Sequence, residues 1–113
     1  MADNINAILA TTHVEVPMPK AGEILCAHCG SEYVKHTYID VFQRNGEDAL
    51  TGLHTSIGDG ESTACTDMTL NPSKRRDGFF IDFDCEPCRG VTRLRIVQHK
   101  GHAFFDLIAA EIT

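Results

Sequence analysis

Four of the five cysteines in this chain occur as two closely spaced pairs. Residues 26–30 read Cys-Ala-His-Cys-Gly, and residues 85–90 read Cys-Glu-Pro-Cys-Arg-Gly. Each pair can turn two sulfur atoms toward one point, and four thiolates at the corners of a tetrahedron are the usual ligands of a structural Zn²⁺ site. The spacing therefore predicts one structural zinc ion bound by four ligands: Cys26, Cys29, Cys85 and Cys88.

A metal ion bound in this way would tie the beginning of the folded core to its end. The 55 residues from 30 to 84 form a long connection for a zinc ribbon, so we expect them to form a β-hairpin or meander. Four cysteines leave no open position for water, which predicts a structural rather than a catalytic site. The sharp turn after each pair predicts a positive φ at Gly30 and Gly90. We expect the fifth cysteine, Cys65, to be a small buried apolar residue in a strand.

The pattern of apolar residues predicts a mostly β fold. The clearest alternation runs over residues 79–85, where phenylalanine and isoleucine side chains occupy one face and Phe80, Asp82 and Asp84 the other. We predict a small antiparallel-sheet, zinc-ribbon-like domain with little helix over residues 23–113, after a flexible or peripheral segment over 1–22. Strands are expected over residues 32–44, 50–57, 62–68, 79–85, 91–98 and 104–108, although 104–112 also fits a short helix.

The length and the apolar runs limit the class of protein. A chain of 113 residues is long enough for one compact domain. It has no apolar run near the roughly 18 residues that a membrane helix needs, and its acidic N-terminus lacks the features of a secretory signal. These observations predict a cytoplasmic protein with no membrane partner. In a reducing compartment, paired cysteines favour metal binding over disulfides.

The charge is unevenly distributed along the chain. The net charge of −6 argues against indiscriminate binding to nucleic acid, but residues 74–100 contain seven basic and four acidic side chains. Arginine side chains suit phosphates and carboxylates equally, so this segment predicts a contact surface for nucleic acid or an acidic protein. Its basic residues need not share one surface, but one stripe near the zinc is an open alternative. An ordinary solvated sheet face fits the same pattern. The predicted contact residues are Arg75, Arg76, Arg93, Arg95 and Lys100.

Catalytic motifs are incomplete or missing from the sequence. His13-Val14-Glu15 has the His-x-Glu pattern of zinc deaminases, but neither cysteine pair is preceded by the proline those enzymes require. His99 and His102 suggest an HNH-type nuclease, but no supporting asparagine lies nearby. Neither a P-loop nor a Gly-x-Ser-x-Gly element occurs. We therefore expect no enzymatic activity and no small-molecule substrate.

Four segments of the chain carry a resemblance to known proteins. They are Cys26-Ala27-His28-Cys29-Gly30-Ser31-Glu32-Tyr33, Asn71-Pro72-Ser73-Lys74-Arg75-Arg76-Asp77-Gly78, Cys85-Glu86-Pro87-Cys88 and Gln98-His99-Lys100-Gly101. Together they resemble a group of small zinc-ribbon proteins that bacteria, phages and mobile elements encode. The resemblance covers about residues 24–105 and implies a zinc-ribbon-like β fold with the four paired cysteines as ligands. It implies no assigned activity, although proteins of this kind often bind host or element machinery, which makes an accessory or anti-defence role an expectation.

Three functional hypotheses follow from the sequence. The first is a non-enzymatic zinc-ribbon module whose basic segment contacts nucleic acid or a protein of nucleic-acid metabolism. The second is an interaction or inhibitor module whose acidic half binds a basic protein. The third is a metal-dependent nuclease that uses His99 and His102. The acidic residues of the second hypothesis are Glu47, Asp48, Asp59, Glu61 and Asp67.

Overall fold

A computed structural model describes residues 22–110 of the chain. These residues form one six-stranded antiparallel sheet, and the prediction of a mostly β, antiparallel fold is confirmed. The predicted peripheral segment 1–22 lies, except for Gly22, outside the described residues. The strands have the order β3-β2-β1-β4-β5-β6 across the sheet. Their bounds are β1 Val34–Arg44, β2 Thr51–Gly58, β3 Glu61–Asp67, β4 Gly78–Cys85, β5 Val91–His99 and β6 His102–Ala110.

The last strand settles the one ambiguity between strand and helix. Residues 102–110 pair with β5 residue by residue, so the helical alternative is wrong over that range. The pairing follows from the turn, because Lys100 and Gly101 have φ values of 51° and 79°. Two left-handed residues between paired strands form the type of tight turn that matches the twist of a hairpin. No helix that could span a membrane occurs between residues 22 and 110.

The register gives the sheet two chemically different faces. The front face contains polar and aromatic residues, for example Asp40, Phe80 and Arg95, which are paired across neighbouring strands. The open face contains almost only apolar residues, and Ile81 and Leu94 lie at its centre. The alternation predicted for residues 79–85 of β4 is therefore confirmed.

A hydrophobic core forms on the front face. The connection from β3 to β4, residues 68–77, has to pass β2 and β1 because these strands lie between its ends. Its first residue, Met68, is buried against Phe42 and Phe80. The Arg93 guanidinium lies 3.9 Å above the Phe80 ring and covers it through a cation–π contact. The crossing connection thus gives the front face its second layer.

The two ends of the sheet carry different groups of residues. At the cysteine end, β4 delivers Cys85, and at the loop end the same strand begins at Gly78, directly after the crossing connection. Seven residue steps at about 3.3 Å separate these ends by about 23 Å. The metal ligands and the loop 72–77 are therefore at opposite ends of β4.

Candidate metal centre and basic cleft

The four paired cysteines converge at the cysteine end. Their sulfur atoms all lie within 4.8 Å of one another, with 3.6 Å between Cys26 and Cys88 and 3.5 Å between Cys29 and Cys85. A tetrahedral site with metal–sulfur bonds of 2.3 Å requires about 3.8 Å between ligands, whereas a disulfide requires about 2.05 Å. The cluster therefore fits a four-coordinate metal ion and does not fit two disulfides.

Both turns that carry these ligands have the same backbone hydrogen bonds. Cys26 donates its N–H to Ser31 and Gly30 donates to Cys26, at 2.9 and 2.8 Å. In the second turn Cys85 donates to Gly90 and Arg89 donates to Cys85, both at 2.9 Å. Arg89 is thus the equivalent of Gly30, and the φ values of these two residues are 61° and 79°.

The prediction of a positive φ at Gly90 is therefore wrong, while that at Gly30 is confirmed. Gly90 is needed for a different reason, because a Cβ atom at that position would collide with the His28 ring. His28 uses Nε2 to contact the carbonyl oxygens of Val91 at 3.0 Å and Ala110 at 3.2 Å. This histidine joins the first turn to β5 and β6.

Hydrogen bonds around the sulfur atoms determine their ionisation. Burial opposes ionisation of Cys26, but hydrogen bonds from the backbone of Cys29 and His28 and from the thiols of Cys85 and Cys88 lower its pKa to about 6. Such donors stabilise a thiolate, which is the form that binds a metal ion. The N–H groups of His28 and Gly90 lie 3.3 Å from the sulfur atoms of Cys26 and Cys88, respectively.

Cys88 behaves differently from Cys26 without a metal ion. The Gly90 amide favours its thiolate, but burial and the neighbouring thiols outweigh that bond and raise the pKa of Cys88 to about 12. Closely packed thiols cannot all ionise together, because the negative charges would repel one another. A divalent cation supplies the opposite charge that four thiolates at this distance require.

The two strand arginines of the predicted contact surface are held by carboxylates on the front face. Arg93 donates to both oxygens of Asp82 at 2.7 and 3.0 Å, and Arg95 donates to both oxygens of Asp106 at 2.9 and 2.5 Å. The Arg95 guanidinium lowers the pKa of Asp106 by its hydrogen bond. Planar two-bond pairs of this kind occupy one edge of the guanidinium, between Nε and Nη2, and offset its charge.

The loop arginines lie at the other end of the sheet from the metal ligands. Arg75 donates to Asp48 and Arg76 donates to Glu47, and both pairs are on the surface. Lys100 lies at the β5–β6 turn of the same end. The alternative of one stripe near the zinc is therefore excluded, because the register sends the loop and this turn to the loop end.

A basic cleft opens between that loop and the β5–β6 turn. It has a volume of about 370 Å³, and none of its lining residues is acidic. Within residues 22–110, neither Lys74 nor Lys100 has an ion-pair partner. Two lysines without an ion-pair partner in the described structure therefore line the same cleft. Its lining residues are Pro72, Lys74, Arg75, Arg76, Val97, Gln98, His99 and Lys100.

Arg44 holds the loop that forms one wall of this cleft. Its guanidinium donates to four backbone carbonyls, those of Ala49, Ser73, Lys74 and Arg76, at distances of 2.6 to 3.0 Å. Carbonyl groups of a loop otherwise need water or a turn to satisfy them, so one side chain fixes the path of the whole segment.

Ser73 connects the same loop to β5. It is fully buried, its hydroxyl donates to the Asp77 carbonyl at 2.7 Å, and it accepts from the Gln98 N–H at 2.9 Å. Sequence reasoning did not identify Arg44 or Ser73, since an arginine at the end of a strand and a serine after a proline carry no distinctive spacing.

Cys65 belongs to a second polar cluster that the sequence did not indicate. It lies in β3, as expected, but it is exposed, so the prediction of burial is wrong. β3 is an edge strand, and the crossing connection packs on the middle of the sheet instead. The sulfur lies 3.6 Å from Nδ1 of His54, whose Nε2 contacts Asp40 at 2.7 Å. The His54 ring also stacks on Phe42, with centroids 4.1 Å apart.

The residues of the other hypotheses are dispersed over the described structure. His99 and His102 face each other across the β5–β6 turn. Between residues 22 and 110, the four cysteines are the one group of three or more side chains placed to bind a metal. Of the acidic residues, Glu47 and Asp48 bind the loop arginines, Asp59 accepts from Tyr38, and Asp67 accepts from Thr69.

Comparison with models of protein families, with curated proteins and with solved structures finds no match for this chain.

Proposed function

We propose that the protein is a non-enzymatic zinc-ribbon module of the cytoplasm that contacts nucleic acid, or a complex that processes nucleic acid, through its loop end. The bound metal is Zn²⁺, since a closed set of four thiolates is the preferred environment of that ion. The observation that carries the proposal is the cleft at the loop end, whose lining contains four basic residues and no acidic one.

The chemistry of the cleft matches a phosphate backbone. Lys74, Arg75, Arg76 and Lys100 place positive charge around a groove that is open to solvent, and the Pro72 and Val97 side chains supply an apolar floor. Neutralising a few phosphates with such groups releases counterions, which makes binding favourable and dependent on salt. The acidic remainder of the chain restricts this contact to one end of the molecule.

The strand arginines contribute less than the loop end in this proposal. Asp82 and Asp106 occupy the Nε–Nη2 edges of Arg93 and Arg95 and offset their charge, so these two side chains attract a phosphate less strongly than an unpaired lysine does. Lys74 and Lys100 have no such competitor in the described structure. Of the predicted contact residues, Lys100 is directly available within residues 22–110. Surface carboxylates hold Arg75 and Arg76, and carboxylates of the front face hold Arg93 and Arg95.

A non-enzymatic role is supported by the exposure of the second polar cluster. Cys65, His54 and Asp40 have the order of a nucleophile, a base and an orienting carboxylate. Every residue of β3 is exposed, however, so a substrate bound at Cys65 would remain in water. Acyl-transfer sites exclude water and surround the reacting atoms with donors.

Fluorescence anisotropy with labelled double- and single-stranded DNA tests the proposal. The zinc-loaded protein is compared with a Lys74→Gln/Lys100→Gln variant at low and moderate salt. We expect at least a tenfold loss of affinity at low salt and a salt slope that is shallower by about two, because two phosphate contacts disappear.

A charge-matched control separates the cleft from the net charge. Lys35→Gln/Arg89→Asn also removes two positive charges, but from the cysteine end, and it should change the affinity less than threefold. Equal losses in the two variants would show a non-specific charge effect. Absence of DNA binding at low salt would contradict the proposal and favour the acidic half as the surface for a protein partner.

A further inference from the structure

The open face of the sheet carries two continuous rows of apolar side chains. One row crosses five strands as Ile57, Ile39, Ile81, Leu94 and Leu107, each paired with the next in register. The neighbouring row contains the residues Thr55, Val41, Phe79, Ile96 and Phe105. Neither row contains an acidic or basic side chain.

Nothing within residues 22–110 covers these rows. Ile57 is 47% exposed, Leu107 is 42% exposed and Phe105 is 75% exposed. The connection 68–77 packs on the front face, and the first metal-binding turn reaches only the cysteine end, where the Ala27 N–H donates to Thr92 at 2.8 Å. A sheet with one apolar face needs a second layer, because water in contact with that face costs free energy in proportion to its area.

The size of the face decides what can cover it. Six strands at about 4.8 Å spacing are roughly 29 Å wide, and seven residues of each are roughly 23 Å long, which gives about 670 Å². Apolar patches on monomers rarely exceed a few hundred Å². A stable interface between proteins buries about 800 Å² on each partner, so the open face has nearly the area of one half of such an interface.

A second copy of the chain offers a face of the same width, the same length and the same absence of charge. Two such faces can pack about 10 Å apart without burying an unpaired charge.

We propose that the open face is a homodimer interface, in which two copies of the chain pack face to face as a β-sandwich. The contact is isologous, so the rows through Ile81 in one copy meet the equivalent rows of the other around a two-fold axis. The front faces, with their crossing connections, then lie outside, and both basic clefts remain open to solvent. This inference does not depend on the proposed function.

Sedimentation equilibrium of the full, zinc-loaded chain tests the dimer at about 1 to 100 μM. The chain has a mass of 12.4 kDa, so we expect a particle of about twice that mass. The Phe105→Asp/Leu107→Asp variant should raise the dissociation constant at least 100-fold, since each interface would bury four uncompensated carboxylates. The aspartates point to solvent in the monomer, so zinc content and far-UV circular dichroism should be retained.

A neighbouring residue provides the matched control. Phe104 is 55% exposed, precedes Phe105 in β6 and belongs to the front face, so Phe104→Asp should leave the dimer intact. If the double variant loses zinc or secondary structure, Phe105→Asp alone replaces it, because this edge residue is exposed enough to be changed without loss of the fold. A wild-type particle of 12.4 kDa at every concentration, or equal weakening by the Phe104 and Phe105 variants, overturns the proposal.

Discussion

The two ends of the sheet differ in what holds the connecting segments to the strands. At the cysteine end, four sulfur atoms within 4.8 Å join the segment before β1 to the β4–β5 turn. At the loop end, Arg44 and Ser73 hold the crossing connection to β1 and β5 by hydrogen bonds alone. One end therefore has the ligands for a metal ion, and the other is held by hydrogen bonds of its own side chains.

Because of this difference, substitutions at the two ends should affect stability in different ways. Four thiolates bind a metal as a unit, so the loss of one ligand disturbs the whole centre. The hydrogen bonds of the loop end are separate contributions, each worth about 1 kcal/mol and more where a charged donor is involved. Changes at the cysteine end should be nearly all-or-none, and changes at the loop end should be graded.

The largest expected effect is the loss of a metal ligand. Cys88→Ser should abolish stable zinc binding and cooperative folding at 37 °C, because structural zinc contributes roughly 10–16 kcal/mol of apparent binding free energy. Metal content and thermal unfolding followed by far-UV circular dichroism measure both properties. A chelator added to the wild-type protein should reproduce the result.

Cys65→Ser is the control for that experiment. The fifth cysteine is exposed on β3, away from the cluster, so this variant should keep one zinc ion per chain and the melting temperature of the wild type. A Cys88→Ser protein that retains zinc and melts like the wild type would show that the cysteine end is held by packing alone.

An intermediate effect is expected at the loop end. Arg44→Met keeps most of the side-chain volume but removes four hydrogen bonds to loop carbonyls, so it should lower the free energy of unfolding by about 3 kcal/mol. Urea unfolding of the zinc-loaded protein measures this loss. Zinc content should not change, since the two ends are about 23 Å apart.

Arg44→Lys tests whether charge or geometry holds the loop. A lysine keeps the charge but cannot reach four carbonyls with one planar group, so it should recover less than half of the lost stability. Full recovery would contradict the bonding network, and a loss of zinc from either variant would contradict the independence of the two ends.

The cysteine end could be predicted from the sequence and the loop end could not. Two Cys-x-x-Cys pairs have a spacing that few other functions require, so Cys26, Cys29, Cys85 and Cys88 were identified directly. The strands could also be predicted from the sequence, because apolar residues alternate with polar ones along them. Arg44 acts through four backbone groups that are 5 to 32 residues away in the chain, and only the folded path of the loop brings them together.

Burial was the property that the sequence predicted least well. Cysteine is a residue type that is usually buried, but the exposure of Cys65 depends on where the connection 68–77 crosses the sheet. The positive φ lies at Arg89 rather than at Gly90 because Arg89, like Gly30, directly follows the second cysteine of its pair, whereas Gly90 leaves space for the His28 ring. The path of a distant segment decided the exposure of Cys65, but the φ at Arg89 follows from the turn itself.

The smallest expected effect concerns the charge that Asp48 places on the loop end. Asp48→Asn frees the Arg75 guanidinium from its ion pair, so under the proposed function it should tighten DNA binding about two- to fivefold and barely alter stability. The hydrogen bond from Arg75 lowers the pKa of Asp48 below 3.8, so Asp48 is charged at any pH well above that value. The ion pair is lost only as the pH falls through the lowered pKa. The gain should therefore be the same at pH 6 and pH 8.

Asp59→Asn makes the same change in charge at the β2–β3 turn and should leave the affinity nearly unchanged. An equal gain from both variants would mean that net charge, rather than the release of Arg75, controls binding at the loop end.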